Sequence, residues 1–302
     1  MSQLDTIRRR IHALKGSQVT RFAPSPTGYL HLGHVLSAAY VWGVASAIRA
    51  KVLVRIEDHD QGRARPDYIK AIADDLSWLG FLDLPVTSPQ EIKLQSRDSF
   101  SLFAETAERL RPSIYRCVCS RRQIQDAQGE DRDELRYPNT CRDAAIAWSE
   151  PGSLRLKIPN YGISFDDLCL GPQTQCPQEQ CGDVMIRDRH DYWSYQFAVV
   201  VDDCHDGVNL IIRGQDLTHT TARQIMIADM IGSNRRVHYL HHPLVYDDNG
   251  KKLSKRDQAS SIGELRDQGW SPEDVIGQAC FAAGMIPKVQ PVSACDLGDF
   301  FS

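Results

Sequence analysis

An α/β fold built on a doubly wound parallel sheet is predicted by three features of this 302-residue sequence. Apolar runs of strand length alternate with stretches of helical periodicity. The first such run leads into a Pro- and Gly-rich turn and then a long helical stretch, the opening of a nucleotide-binding unit. About 220 residues later, Lys251-Lys252-Leu253-Ser254-Lys255-Arg256 follows Gly250 on a polar loop, suited to the far end of the same ligand.

Each element has a local reason. Gln18 to Phe22 has strand composition, and the two prolines and the glycine of Ala23 to Gly28 force a turn. Leu30 to Ala50 reads as helix and Lys51 to Ile56 as a buried strand. In Pro66 to Leu79, the apolar positions Ile69, Ile72, Leu76 and Leu79 recur at helical spacing, with Pro66 suited to the first turn and Gly80 to the stop. Val208 to Ile212 is a strand ending at Arg213 and Gly214, and Thr218 to Ile231 is a helix stopped by Gly232. This alternation on both sides of a cysteine-bearing stretch predicts one split parallel sheet.

Composition narrows the class. Hydrophobic residues make up 42%, and no apolar run approaches the ~20 residues of a membrane span. Arg8-Arg9-Arg10 is not followed by the apolar core of a signal peptide, so residues 1–17 are expected to be a mobile extension or short helix. A net charge of −4 excludes a generic polyanion binder, which leaves RNA contacts to local patches such as Arg121-Arg122, Arg235-Arg236 and Lys251 to Arg256. The cysteines number nine, odd and scattered, as suits a reducing cytoplasm.

The candidate chemistry begins at the helix after the turn. Its N-terminus, with unpaired N–H groups and the positive end of the helix dipole, suits phosphate. His31 and His34 share one face of its first turn, and Gly28 and Gly33 leave room for a ligand against the backbone. Lys252 and Lys255 supply ammonium groups for the other end of a triphosphate. Arg21 and Arg213 carry guanidinium forks that match a carboxylate. Glu57, just past a strand end, can take an ammonium group, and Tyr195 can hydrogen-bond a substrate.

The run Arg21-Phe22-Ala23-Pro24-Ser25-Pro26-Thr27-Gly28, then His31-Leu32-Gly33-His34, then Arg55-Ile56-Glu57-Asp58 resembles the catalytic domain of the glutamyl-tRNA synthetases, a class I aminoacyl-tRNA synthetase family. Lys252-Leu253-Ser254-Lys255-Arg256 resembles their "KMSKS" loop, with Leu for Met and Arg for the last Ser, and both lysines kept. The resemblance covers about residues 18 to 285. It implies catalytic roles for His31, His34, Lys252 and Lys255, and ATP contacts from His31, Gly33, His34 and Lys255. It also implies a glutamate site formed by Arg21, Phe22, Ala23, Pro24, Ser25, Glu57, Tyr195 and Arg213. The valine run after Tyr195 favours a strand by propensity; the resemblance implies a helix, which is the expectation here.

Only 46 residues follow Arg256, too few for the large helical anticodon-binding region of full-length members. The chain is therefore closer to the truncated branch that works on tRNA(Asp). The expected organisation is an extension (1–17), the first half of the nucleotide fold (18–94), an acceptor-binding insertion (95–175), the second half with the lysine loop (176–257), and a helical stub and tail (258–302). The resemblance implies ATP-dependent, tRNA-independent activation of L-glutamate to glutamyl-adenylate, with Mg2+ accompanying ATP. The second step is transfer to the queuosine base in the anticodon of tRNA(Asp). The alternatives are charging of tRNA(Glu) by a synthetase lacking the anticodon region, a small nucleotidyltransferase with a similar histidine signature, and a non-enzymatic relic. A cytoplasmic monomer without a membrane partner is expected.

Cys117-Val118-Cys119 and Cys141 lie within 25 residues, and a turn at Pro138-Asn139 could bring the third sulfur to the first two. Three sulfurs and one further ligand make a closed, structural Zn2+ site. From the residues alone Cys176 and Cys181 compete for the fourth place, whereas the resemblance supplies Tyr137.

Overall fold

The structure, a computed structural model, describes residues 3–88, 92–128, 134–244 and 260–302. The lysine loop at 251–256, with Lys252 and Lys255, lies outside the described residues.

The chain opens with helix α1 (Gln3–His12), whose Ile7 and Ile11 are fully buried. It is tied to both distant ends of the fold. Arg10 donates to the carbonyl of Asp167 at 2.6 Å and Arg8 to that of Phe300 at 2.9 Å. Of the two expectations, a mobile extension or a short helix, the structure has the helix, and it is docked, because an amphipathic segment with two core-facing isoleucines loses too much if it detaches.

Strand β1 (Val19–Phe22) leads through the proline turn into α2 (Leu32–Ile48). That helix is apolar on all sides and buried from Val35 to Ala45, as a central helix covered on two faces must be. One cover is the C-terminal segment. A Cβ on Gly43 would sit 2.6 Å from the Phe301 ring, so this glycine is what admits the tail. Strand β2 (Lys51–Ile56) pairs parallel with β1, and α3 (Pro66–Trp78) begins with proline in its first turn and is followed by Gly80 at φ +81°.

Next come β3 (Lys93–Leu94), α4 (Gln95–Asp98) and α5 (Phe100–Arg109), then β4 (Ile114–Cys117), α6 (Arg121–Gln128) and β5 (Ser153–Leu156). β6 (Ile163–Asp167), β7 (Gly171–Gln175), α7 (Pro177–Gln180) and β8 (Val184–Arg187) follow. β4, β5 and β8 form a separate antiparallel sheet. The expected single insertion over 95–175 is corrected in two ways. Gln95 and Ser99 donate to Asp202 of the nucleotide fold at 2.8 and 2.6 Å, which places α4 and the start of α5 there. β6 and β7 join the second half of that fold, and the chain then returns to the insertion at β8.

Helix α8 (Tyr195–His205), β9 (Leu210–Gly214), α9 (Thr221–Met230) and β10 (His238–His242) complete the nucleotide fold. α8 is a helix despite its valines, because Phe197 to Asp203 are buried and packing overrides propensity. The expected single sheet is seen as two, β3-β2-β1 and β9-β10-β6-β7, with only β7 antiparallel. Their edges meet at Asn209, whose N–H donates to Val19 O at 3.0 Å and whose side-chain oxygen accepts from Val19 N at 2.7 Å. α10 (Ile262–Asp267) and α11 (Pro272–Ala282) each start with a Ser-x-x-acid capping box. Among the described residues, no helix is long and apolar enough to cross a membrane.

Candidate active site

The start of α2 is capped by its own histidines. His31 Nδ1 accepts from Gly33 N at 3.1 Å, and His34 Nδ1 accepts from His31 N at 3.2 Å, a reciprocal box with imidazoles in place of hydroxyl and carboxylate. A neutral imidazole that accepts at Nδ1 carries its proton on Nε2. Both rings, 4.0 Å apart between centroids, are thereby set as Nε2–H donors at a helix N-terminus. Gly33 has a second role beyond the expected backbone approach: a Cβ there would meet the His31 ring at 3.0 Å.

Beside this cap is a cavity of about 140 Å³ lined by Arg21, Phe22, Ala23, Pro24, His34, Glu57, Tyr195 and Arg213, among others. These residues come from the ends of β1, β2 and β9, the turn after β1, and the first turns of α2 and α8. Carboxyl ends of parallel strands are where an open α/β sheet binds ligands. Ser25 is not part of the lining; its hydroxyl donates to Glu57 O at 3.3 Å and, with the Glu57 N to Pro24 O bond of 2.9 Å, pins the proline turn to β2. A larger cavity of about 730 Å³ opens at the opposite ends of the strands, near Lys15, Arg236 and His238. It touches none of the signature residues, so size does not identify the site.

The charged walls of the small cavity are held by partners that sequence reasoning did not identify. Arg55 is fully buried and contacts Glu57 at 3.1 Å, Asp203 at 2.7 Å and Asp206 at 3.3 Å. Asp203 also holds Arg21 at 3.1 Å, so one ion network carries both Arg21 and Glu57. Burial alone would raise Asp203, but Arg21 and Arg55 outweigh it and hold the carboxyl below its ordinary range. Burial raises Glu57 despite opposing attraction from Arg55, His59 and Arg21. On the other wall, Arg213 donates to Gln224 at 2.7 Å, Thr221 at 2.8 Å and His241 at 3.0 Å. A usable signal existed for one of these partners. Asp202-Asp203 interrupts an apolar run, and a carboxylate buried in such a run needs a cation.

In the insertion, the sulfurs of Cys117, Cys119 and Cys141 lie within 4.8 Å of one another. The Tyr137 oxygen is 3.3 Å from Cys117 Sγ and accepts from Cys141 N at 2.9 Å. Cys176 and Cys181, the competing ligands, bond instead to Asn160 and to backbone carbonyls. Burial disfavours a Cys117 thiolate, yet bonds from Tyr137 and Arg155 outweigh it and bring the thiol down to about 7. Three thiols with a phenol oxygen fit a four-coordinate, sulfur-rich metal such as zinc. Gly182 makes room for this corner, since a Cβ there would fall 1.9 Å from the Tyr137 carbonyl.

A parallel α/β sheet with a histidine-capped helix at its strand ends is the architecture of a class I synthetase catalytic domain. Residues 18–290 match the family of class I tRNA synthetases (E and Q), catalytic domain. The chain is 36% identical to the glutamyl-Q tRNA(Asp) synthetase of Nitratidesulfovibrio vulgaris, over 90% of this chain and 88% of that one. It is also 36% identical to that of Janthinobacterium sp. (91% and 92%) and 38% identical to that of Geobacter sulfurreducens (82% and 79%). The fold is shared with a glutamate tRNA ligase from Elizabethkingia meningosepticum, at a TM-score of 0.74 and 22% identity. That match covers 93% of this chain, which spans 64% of the ligase's length. The chain belongs to the glutamyl-Q tRNA(Asp) synthetase family and is an enzyme of the glutamyl-tRNA synthetase type.

Proposed function

We propose that this protein activates L-glutamate with ATP in the absence of RNA and transfers the glutamyl group to the queuosine base of the tRNA(Asp) anticodon. The observation that carries the first half is the convergence of Arg21, Glu57, Tyr195 and Arg213 on one cavity beside the His31–His34 cap. The second half is supported by the name its relatives bear.

In this reading Arg21 and Arg213 hold the substrate's side-chain carboxylate, Glu57 its ammonium group, and Tyr195 a further polar atom. The α-carboxylate oxygen attacks the α-phosphorus of ATP in line. A carboxyl–phosphorus bond forms, the bond to the bridging oxygen breaks, and pyrophosphate leaves with that electron pair. The Nε2–H groups of His31 and His34 donate to phosphate oxygens as charge builds there, backed by the α2 N-terminus. Lys252 and Lys255 clamp the pyrophosphate, with Mg2+ arriving as the counter-ion of ATP. The adenylate then passes its glutamyl group to a hydroxyl of the queuosine cyclopentenediol, releasing AMP. A base taken out of its stack is how RNA loops are commonly read.

Glutamate should drive return of labelled pyrophosphate into ATP with no RNA present, and labelled glutamate should then appear on queuosine-containing tRNA(Asp). No exchange would end the first half of the reading. Charging of tRNA(Glu) in place of tRNA(Asp) would replace the second half with the ordinary synthetase reaction.

The metal has its own test. Cys117, Cys119, Tyr137 and Cys141 would hold one zinc ion, which here fixes the insertion and takes no part in the reaction. Purified protein should contain about one zinc per chain, and Cys119→Ser should lose it with a drop in melting temperature. Full zinc content in that variant would move the site elsewhere.

A further inference from the structure

Behind the amino-acid cavity, Arg213 rests on a buried relay that does not itself line the cavity. Asp167, at the end of β6, accepts from the backbone of Cys169 at 2.9 Å, Leu170 at 2.8 Å and His241 at 3.2 Å. Its Oδ2 lies 2.6 Å from His241 Nδ1. Both side chains are fully buried. With that many donors already on it, the Asp167 carboxylate accepts from the ring as well, so the imidazole carries its proton on Nδ1. The Nε2 lone pair then accepts from Arg213 Nε at 3.0 Å, with the Thr221 hydroxyl, itself an acceptor from Arg213, 3.2 Å from the same nitrogen. Burial holds His241 in this neutral form, and the Arg213 charge adds to that against the pull of Asp167.

We infer that His241 is a specificity-determining positioning residue: acting through Arg213 and not on substrate, it aims the guanidinium at the substrate's side-chain carboxylate. The inference rests on the reading of Arg213 as the carboxylate-binding group. A guanidinium has five N–H donors. Among the described residues His241, Gln224 and Thr221 each take one, which leaves one on each Nη. A bidentate bond to a carboxylate uses two parallel N–H donors. An amide in the same place would present its own N–H groups to one of them, so the fixed donor set favours glutamate over glutamine. His241 suits this task because it offers Arg213 only a lone pair. A donor in its place would turn the guanidinium, and an apolar group would let it rotate.

The two amide replacements separate the two ring nitrogens. Asparagine places its amide where Nδ1 stood, so His241→Asn keeps a donor for Asp167 but offers no acceptor to Arg213. Glutamine reaches to Nε2, so His241→Gln keeps the acceptor and loses the donor. In glutamate-driven pyrophosphate exchange, H241N should raise the KM for glutamate at least about tenfold, with the KM for ATP within about twofold. It should also narrow the preference for glutamate over glutamine. H241Q should stay within about threefold of wild type for glutamate. Equal effects of the two variants, or a matching rise in the KM for ATP, would overturn the inference by showing a general structural role. If H241N does not fold, H241Q decides alone, since a larger rise in its glutamate KM means the Arg213 contact is not what matters. Failure of the wild-type chain to exchange pyrophosphate with glutamate would instead remove the reading of Arg213 itself.

Discussion

Glu57→Gln is expected to raise the KM for glutamate in pyrophosphate exchange by about 100-fold while the KM for ATP stays within about twofold. The reason lies in the charge balance of the buried network. Arg21, Arg55 and Lys93 face Glu57, Asp202, Asp203 and Asp206, which leaves one negative charge in excess. The ammonium group of a bound amino acid neutralises that excess if it sits against Glu57. The amide keeps the shape and a hydrogen bond to Arg55 but not the charge, so the loss falls on the ligand that carries the ammonium.

The same substitution should not cost stability. Glu57 is raised by burial, so the folded chain binds its proton more tightly than the unfolded chain. Stability from this group therefore falls as pH rises from the unfolded carboxyl value to the raised one, and at neutral pH the folded state carries the penalty. E57Q removes a charge that burial disfavours and should melt at or above the wild-type temperature at pH 7. In wild type, the KM for glutamate should rise as pH falls through the raised range of Glu57, and E57Q should flatten that profile. A variant that melts lower and loses ATP and glutamate alike would make Glu57 a structural ion-pair partner of Arg55.

How much of this was legible in the sequence depends on the range of the interaction. α2, β2 and α3 follow from local periodicity and stop signals, and the structure places them at Leu32–Ile48, Lys51–Ile56 and Pro66–Trp78. The thiols of Cys117, Cys119 and Cys141 were readable because their spacing is short. The supports of the site were not, because each joins residues far apart in the chain: Arg55 to Asp203, Arg21 to Asp203, Arg213 to His241, His241 to Asp167. Nothing near Asp167 in the sequence announces β10, and the placement of β6 and β7 in the second sheet depends on that pairing. In Tyr195 to Val201 local propensity points to a strand, yet the helix that the resemblance implied is the one seen, with Phe197 to Asp203 buried.

The histidine pair allows chemistry and folding to be separated at one position. His34 Nδ1 caps the backbone of His31, while its Nε2–H is the donor assigned to phosphate. Alanine removes both. Asparagine places an amide oxygen near the position of Nδ1, so His34→Asn can keep the cap yet offers nothing at the position of Nε2. Both variants should lose about 10²–10³ in kcat for pyrophosphate exchange, the scale of one donor to a developing oxyanion. Neither should shift the KM for glutamate by more than about threefold: His34 lines that cavity, but the groups assigned to glutamate's charges are Arg21, Arg213 and Glu57. Only His34→Ala should lose stability, by about 1 kcal/mol, because it removes the acceptor for the His31 backbone N–H. His31→Asn should behave in the same way, with kcat falling and the melting temperature held, since asparagine is among the best N-cap residues. If asparagine at either position preserves kcat, the imidazoles serve the helix and not the phosphate, and the charge that develops in the transition state must be met by the helix N-terminus and the lysines alone.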